Sequence, residues 1–194
     1  MKVAIVKYNA GNTASVANAL RRLGVEPVVT DASGALQSAD KVIFPGVGEA
    51  STAMQYLRDR GLVDVIKSLK QPVLGICLGM QLMCNSSEEN ETKCLGTLPY
   101  RVRRFESETL KIPHTGWNRI CQLRSRLFEG VADGSRVYFV HSFYVETGED
   151  TTAVSEYGQS FSAGVESGNF YAIQFHPEKS GTVGARILEN FLKI

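Results

Sequence analysis

The stretch Val73-Leu74-Gly75-Ile76-Cys77-Leu78-Gly79 is a short apolar run in which glycine stands two residues to either side of a cysteine. Val73–Ile76 has no polar alternation and is too brief for a helix, so it reads as a strand buried on both faces. The flanking glycines allow the sharp turn of a G-x-S-x-G nucleophile elbow, with Cys77 in place of serine. Such a turn pushes the thiol out at the carboxyl end of a parallel sheet, where the N-terminus of the next helix favours thiolate. A structural cysteine following a core strand would look the same from this stretch alone.

Upstream of the elbow, strand and helix signals alternate. Val3–Val6 is a buried-strand run, followed by Gly11-Asn12 and by Val16, Leu20 and Leu23 at helical spacing, closed by Gly24. Pro27–Thr30 and Val42–Phe44 read as two more strands, the latter stopped by Pro45-Gly46, and Leu57, Leu62, Val65, Ile66 and Leu69 supply one or two helices. Alternation of this kind predicts an α/β fold, a mostly parallel sheet flanked by helices. Downstream the texture changes. An acidic loop at Ser86–Glu91 precedes strand candidates at Tyr100–Phe105, Arg136–Val140, Thr152–Tyr157, Phe161–Glu166 and Phe170–Phe175, several of them hairpins added antiparallel to the sheet. Val183, Ile187 and Phe191 mark a terminal amphipathic helix.

The 194 residues fit one domain, 1–194, with no repeat or linker. The 21 Lys+Arg nearly cancel the 20 Asp+Glu, leaving a net charge of +1 and no field to hold nucleic acid or an anionic membrane. Met1–Lys7 has too few apolar residues for a secretory segment, and Val73–Cys84 is too short and glycine-rich to span a bilayer. The four cysteines form no C-x-x-C and there are three histidines, so neither a metal site, a cofactor nor a disulfide framework is expected. A reduced, cytoplasmic setting is the default.

Two further motifs carry chemistry. In His176-Pro177-Glu178, residues two apart in extended chain share a side, so the carboxylate can orient the imidazole, and Pro177 ends the ladder. Together with Cys77 they make a Cys–His–Glu triad. Phe44-Pro45-Gly46-Val47-Gly48 is a glycine-rich turn whose N–H groups suit an oxyanion, since the Lys and Ser/Thr of a phosphate loop are missing.

Pro45-Gly46-Val47-Gly48, Gly75-Ile76-Cys77-Leu78-Gly79-Met80-Gln81 and His176-Pro177-Glu178 together resemble the class I (triad) glutamine amidotransferases. Pro113-His114-Thr115-Gly116-Trp117-Asn118, Tyr138–Phe143 and His176–Ser180 are similar to the branch that serves a cyclase in histidine biosynthesis, and the likeness runs from Lys2 to the last helix. The resemblance implies hydrolysis of L-glutamine to glutamate and ammonia by Cys77, His176 and Glu178. Val47, Gly48 and Leu78 would form the oxyanion hole, and Gln81, Glu89, Ser142 and Phe143 the substrate pocket, with Glu88 adjacent to Glu89. It also implies a heterodimer with a (β/α)₈-barrel cyclase that makes imidazole glycerol phosphate and aminoimidazole carboxamide ribonucleotide. Asn12, Trp117, Tyr138 and Lys179 would lie toward that partner. Two departures from the family's usual reading fall on that surface: Lys7-Tyr8-Asn9-Ala10-Gly11-Asn12 where Asp-Tyr-Gly-x-Gly-Asn is usual, and Thr115 where Met is common. A cysteine peptidase or γ-glutamyl hydrolase of similar fold would keep the nucleophile but act without a partner.

Overall fold

The computed structural model describes residues 1–9 and 12–194; Ala10 and Gly11 of the Lys7–Asn12 motif lie outside the described residues. The first half is built as β1 (Val3–Val6), α1 (Thr13–Arg22), β2 (Val28–Thr30), α2 (Ser33–Gln37), β3 (Lys41–Gly46), α3 (Ala50–Asp59), α4 (Leu62–Ser68), β4 (Val73–Cys77) and α5 (Leu78–Met83). The second half supplies β5 (Ser86–Ser87), β6 (Thr92–Lys93), β7 (Arg101–Arg104), β8 (His114–Arg119), β9 (Arg136–His141), β10 (Phe143–Val145), β11 (Thr151–Glu156), β12 (Ser160–Ser167), β13 (Phe170–Ile173) and α6 (Gly181–Lys193).

Strands β2-β1-β3-β4-β13 run parallel in that spatial order, and β12, β10 and β7 extend the sheet antiparallel from β13. The parallel strands are buried on both sides, because neighbouring residues along each strand belong to opposite cores. Ala4, Val6, Val42, Phe44 and Val73 pack with Leu36, Met54, Leu57, Leu62 and Ile66 of α2, α3 and α4. Val3, Ile5, Ile43, Leu74 and Ile76 pack with Val16, Leu20, Ile187 and Phe191 of α1 and α6. That double cover is why these strands read as continuous apolar runs. The helical signal at Leu57–Leu69 resolves into two helices, broken where Gly61 takes a φ of 64°.

Strand β8, paired antiparallel with β9 in a separate ribbon, was not expected. Its sequence, His-Thr-Gly-Trp-Asn-Arg, is half polar with a central glycine, and its strand character comes from pairing rather than composition. Among the described residues no helix is long and apolar enough to cross a membrane.

The elbow is held by close packing of α5 on β3. A methyl group at Gly79 would collide with the Phe44 carbonyl, and one at Gly75 would lie 3.0 Å from the Met80 nitrogen. Gly79→Ala is expected to destabilise the fold by about 1–3 kcal/mol, the usual cost of overpacking. Urea denaturation checks it: a lower midpoint with an unchanged slope is the expected outcome.

Candidate active site

Strand register sets the site. Gly46 is paired with Cys77 at the ends of β3 and β4, and Ile173 of β13 is paired with Ile76. The Pro45–Gly48 turn, Cys77 and the segment carrying His176 therefore emerge together at the carboxyl edge, the usual place for α/β sites. Cys77 itself has φ 53° and ψ −110°, a strained conformation for a residue with a side chain, as an elbow requires.

His176 is fully buried, and its Nδ1 lies 2.9 Å from Glu178 Oε1. The Glu178 side chain has no solvent exposure. The Asn12 amide donates to the same Glu178 oxygen at 2.8 Å. Asn12, expected to face a partner, is thus also a triad neighbour. His176 Nε2 has no well-formed hydrogen bond among the described residues, yet the sulfur of Cys77 lies close enough to perturb it. Burial by itself would lower the His176 pKa; the contact and charge of Cys77, then those of Glu178, outweigh it and push the value up to about 10. Burial would raise the Glu178 pKa, but the His176 hydrogen bond and charge and the Asn12 amide hold it below the ordinary carboxylate range. The pair is thus poised as imidazolium and carboxylate.

A cavity of about 380 Å³ opens in front of the sulfur, of a size that suits a small metabolite. Val47, Gly48, Leu78, Gln81, Glu89, Ser142 and Phe143 all line it, together with Cys77 and His141. Glu89 Oε2 accepts from the Ala50 N–H at 2.7 Å, and burial raises its pKa. Glu88 points elsewhere: it pairs with Arg103 at 2.7 Å and accepts from the Arg104 N–H, so the adjacent acids part company. Both Gln81 amide hydrogens are engaged, by the Phe143 carbonyl at 2.9 Å and by Gln174 Oε1 at 3.0 Å, which among the described residues leaves only its acceptor oxygen without a partner. Among the described residues, no group of three or more His, Cys, Asp or Glu side chains is placed to hold a metal.

Two site residues escaped the sequence reading. Gln174, fully buried, donates to the Cys77 sulfur at 3.6 Å. It sits two residues before His176, just past the end of β13, and the rule that residues two apart in extended chain share a side was the signal that could have found it. The Tyr8 hydroxyl, also buried, donates to the Pro45 carbonyl at 2.7 Å and pins the start of the Pro45–Gly48 turn.

Trp117, 54% exposed, packs edge-on against Tyr138, and the Lys179 ammonium sits 5.7 Å from the Tyr138 ring centre. The Tyr138 carbonyl accepts from the His176 N–H at 2.9 Å. This exposed aromatic cluster is one backbone hydrogen bond from the triad.

The family model for class-I glutamine amidotransferases matches residues 4–194. The chain is 57% identical to the imidazole glycerol phosphate synthase subunit HisH of Bacteroides thetaiotaomicron, with all of both chains covered. It is 44% identical to the HisH subunit of Yersinia pseudotuberculosis, again over the full length of both. In structure it is similar to a glutamine amidotransferase from Thermotoga maritima, with a TM-score of 0.66, 19% identity, and 99% and 82% of the two chains covered.

The electrostatics make a direct expectation. Cys77→Ala removes the largest influence raising His176 and leaves burial in place. The His176 pKa is therefore expected to fall from about 10 toward the ordinary imidazole range or below it. An NMR titration of the ring checks the shift; an unchanged value would mean that the sulfur does not face Nε2.

Proposed function

The chain belongs to the class-I glutamine amidotransferase family, and on that premise we propose that it is the glutaminase subunit of an imidazole glycerol phosphate synthase. In this reading it acts in the cytoplasm as one domain over residues 1–194, and supplies ammonia for histidine biosynthesis. The observation that carries it is that Cys77, which lines one small cavity together with the Glu89 carboxylate, stands against the buried His176–Glu178 pair.

The chemistry follows from the groups in place. The Cys77 thiolate attacks the side-chain carboxamide carbon of glutamine, and the carbonyl oxygen takes the negative charge. The Leu78 N–H, in the first turn of α5 where a helix offers no partner of its own, and N–H groups of Val47–Gly48 stabilise that oxygen. An amide nitrogen cannot leave as an anion, so the His176 imidazolium protonates it; ammonia departs and a γ-glutamyl thioester remains. The imidazole, now neutral, takes a proton from water as it attacks the thioester. Glutamate and the thiolate are released, and His176 regains its proton. Glu178 holds the ring in the tautomer this needs, and Asn12 holds Glu178.

Ammonia is useful only where it is consumed. The partner in this reading is a (β/α)₈-barrel cyclase seated on the Trp117, Tyr138 and Lys179 cluster, with Asn12 nearby. Partner binding would be felt at His176 through the Tyr138 carbonyl. It would also reach the oxyanion turn. Tyr8 fixes Pro45, and Glu49 and Glu89 fix the first N–H groups of α3. The peptides between are left to rotate, with Gly48 at a φ of 114°.

The chain alone is expected to release glutamate slowly, by about 10²–10³-fold relative to the complex with cyclase and nucleotide, the cost of one missing oxyanion donor. Rates for the chain, the chain with cyclase, and the pair with nucleotide test this. Equal rates would remove both the gating turn and the obligate partner. Cys77→Ala is expected to abolish turnover while leaving partner binding intact, and Glu178→Gln to slow turnover less than His176→Ala does, as initial rates will show.

A further inference from the structure

Two of the three histidines, His114 and His141, take no part in the triad, yet both are buried, and His141 lines the glutamine cavity. His114 Nδ1 and His141 Nε2 are 3.0 Å apart. His141 Nδ1 lies 2.7 Å from the Phe143 carbonyl. His114 Nε2 lies 3.3 Å from the Asn118 amide nitrogen.

Proton placement along this chain is determined from both ends. A carbonyl can only accept, so His141 must carry its proton on Nδ1, and its Nε2 is then an acceptor. His114 must answer with a proton on Nδ1, which makes its own Nε2 an acceptor. From the other end, the Asn118 amide nitrogen is identified because it also donates to the Glu156 carbonyl at 2.8 Å, while its oxygen accepts from the Arg119 N–H. An amide nitrogen can only donate, so His114 Nε2 must accept. Both ends of the chain require the same tautomers, and every hydrogen bond runs in one direction, from Asn118 through His114 and His141 to Phe143.

We propose that His114 and His141 are positioning residues for glutamine hydrolysis. As a neutral pair, each in a single tautomer, they hold the Phe143 carbonyl on which Gln81 and Gln174 are aligned. That carbonyl accepts from His141 on one side and from Gln81 on the other. Gln81 donates on to Gln174, and Gln174 to the Cys77 sulfur. The chain begins at Asn118, next to the exposed Trp117, and ends at the nucleophile.

The surroundings favour neutral rings. His114 is stacked on Tyr157 and Phe139, with ring centres 4.1 and 4.9 Å away, and His141 is wrapped by Phe105 and Phe161. Burial lowers the His114 pKa to about 4. It lowers that of His141 to about 3, against the opposing pull of the Phe143 carbonyl. A charged ring in either position would have to donate from both nitrogens and would set two donors against each other.

The inference rests on the proposed glutaminase reading for its kinetic arm and is independent of it for its spectroscopic arm. The spectroscopic arm uses the full chain labelled with ¹⁵N-histidine at neutral pH. His114 and His141 are each expected to show a protonated Nδ1 and an unprotonated Nε2. A proton on Nε2 of His141 would overturn the proposal without any variant. The kinetic arm uses the complex with cyclase and nucleotide. His141→Phe keeps the ring packing and loses both hydrogen bonds; KM for glutamine is expected to rise about tenfold, the size of one hydrogen bond, with kcat changed much less. His141→Gln, which can donate at one end and accept at the other, is expected to recover most of that loss. A natively folded His141→Phe with unchanged KM would overturn the proposal. Wild-type complex that fails to hydrolyse glutamine would sink the functional reading while leaving the tautomer result standing.

Discussion

Three parallel strands must end level for anything else here to work. The pairing of Gly46 with Cys77 and of Ile76 with Ile173 is set by a ladder of backbone hydrogen bonds inside two apolar layers, and a one-residue slip would exchange those layers. Phe44 and Ile43, or Leu74 and Val73, would then face the wrong helices. Register is therefore protected by most of the hydrophobic core. The Pro45–Gly48 turn, the Cys77 sulfur and the His176 imidazole inherit their relative positions from it. The strain at Cys77 is sustained the same way, since α5 cannot retreat from β3 without opening the contact at Gly79.

The parts legible in the sequence were those marked by punctuation. Glycines bracket Cys77, Pro45-Gly46 stops β3, and Pro177 follows His176; each is a residue whose backbone chemistry announces a turn at the end of a strand. Doubly buried strands were equally plain. What stayed hidden depended on contacts between distant segments. Asn12 and Glu178 are 166 positions apart, and nothing local to Asn12 says that its amide will meet a carboxylate. Tyr8 stands just past β1, and nothing near it in sequence says that its hydroxyl will meet the carbonyl of Pro45, 37 positions on. β8 carries neither a hydrophobic run nor alternation, and its identity comes from β9. Glu88 and Glu89 are chemically identical neighbours, and their fates are separated by distant partners, Arg103 and the Arg104 N–H on β7 for one and the Ala50 N–H for the other.

The three histidines show how one fold assigns different protonation states to one side chain. All are buried, and burial alone favours the neutral ring. His176 faces a carboxylate and a thiol, both able to carry negative charge, and its proton is held more tightly than in water. His141 faces a carbonyl and another imidazole, with the positively inclined His176 nearby, and its second proton is excluded. The difference lies in partners, not in depth.

That contrast bears on how the site tolerates its own charge. In the proposed mechanism negative charge moves from sulfur to the carboxamide oxygen while the imidazolium gives up its proton, so the field around Cys77 would change within one step. A second cation beside the cavity would stabilise thiolate indiscriminately and slow its attack. The neutral His114–His141 pair supplies fixed dipoles instead, already oriented before substrate enters. Rigid dipoles need no reorganisation when charge shifts, which is the advantage that preorganised polar groups hold over mobile ions in a buried site.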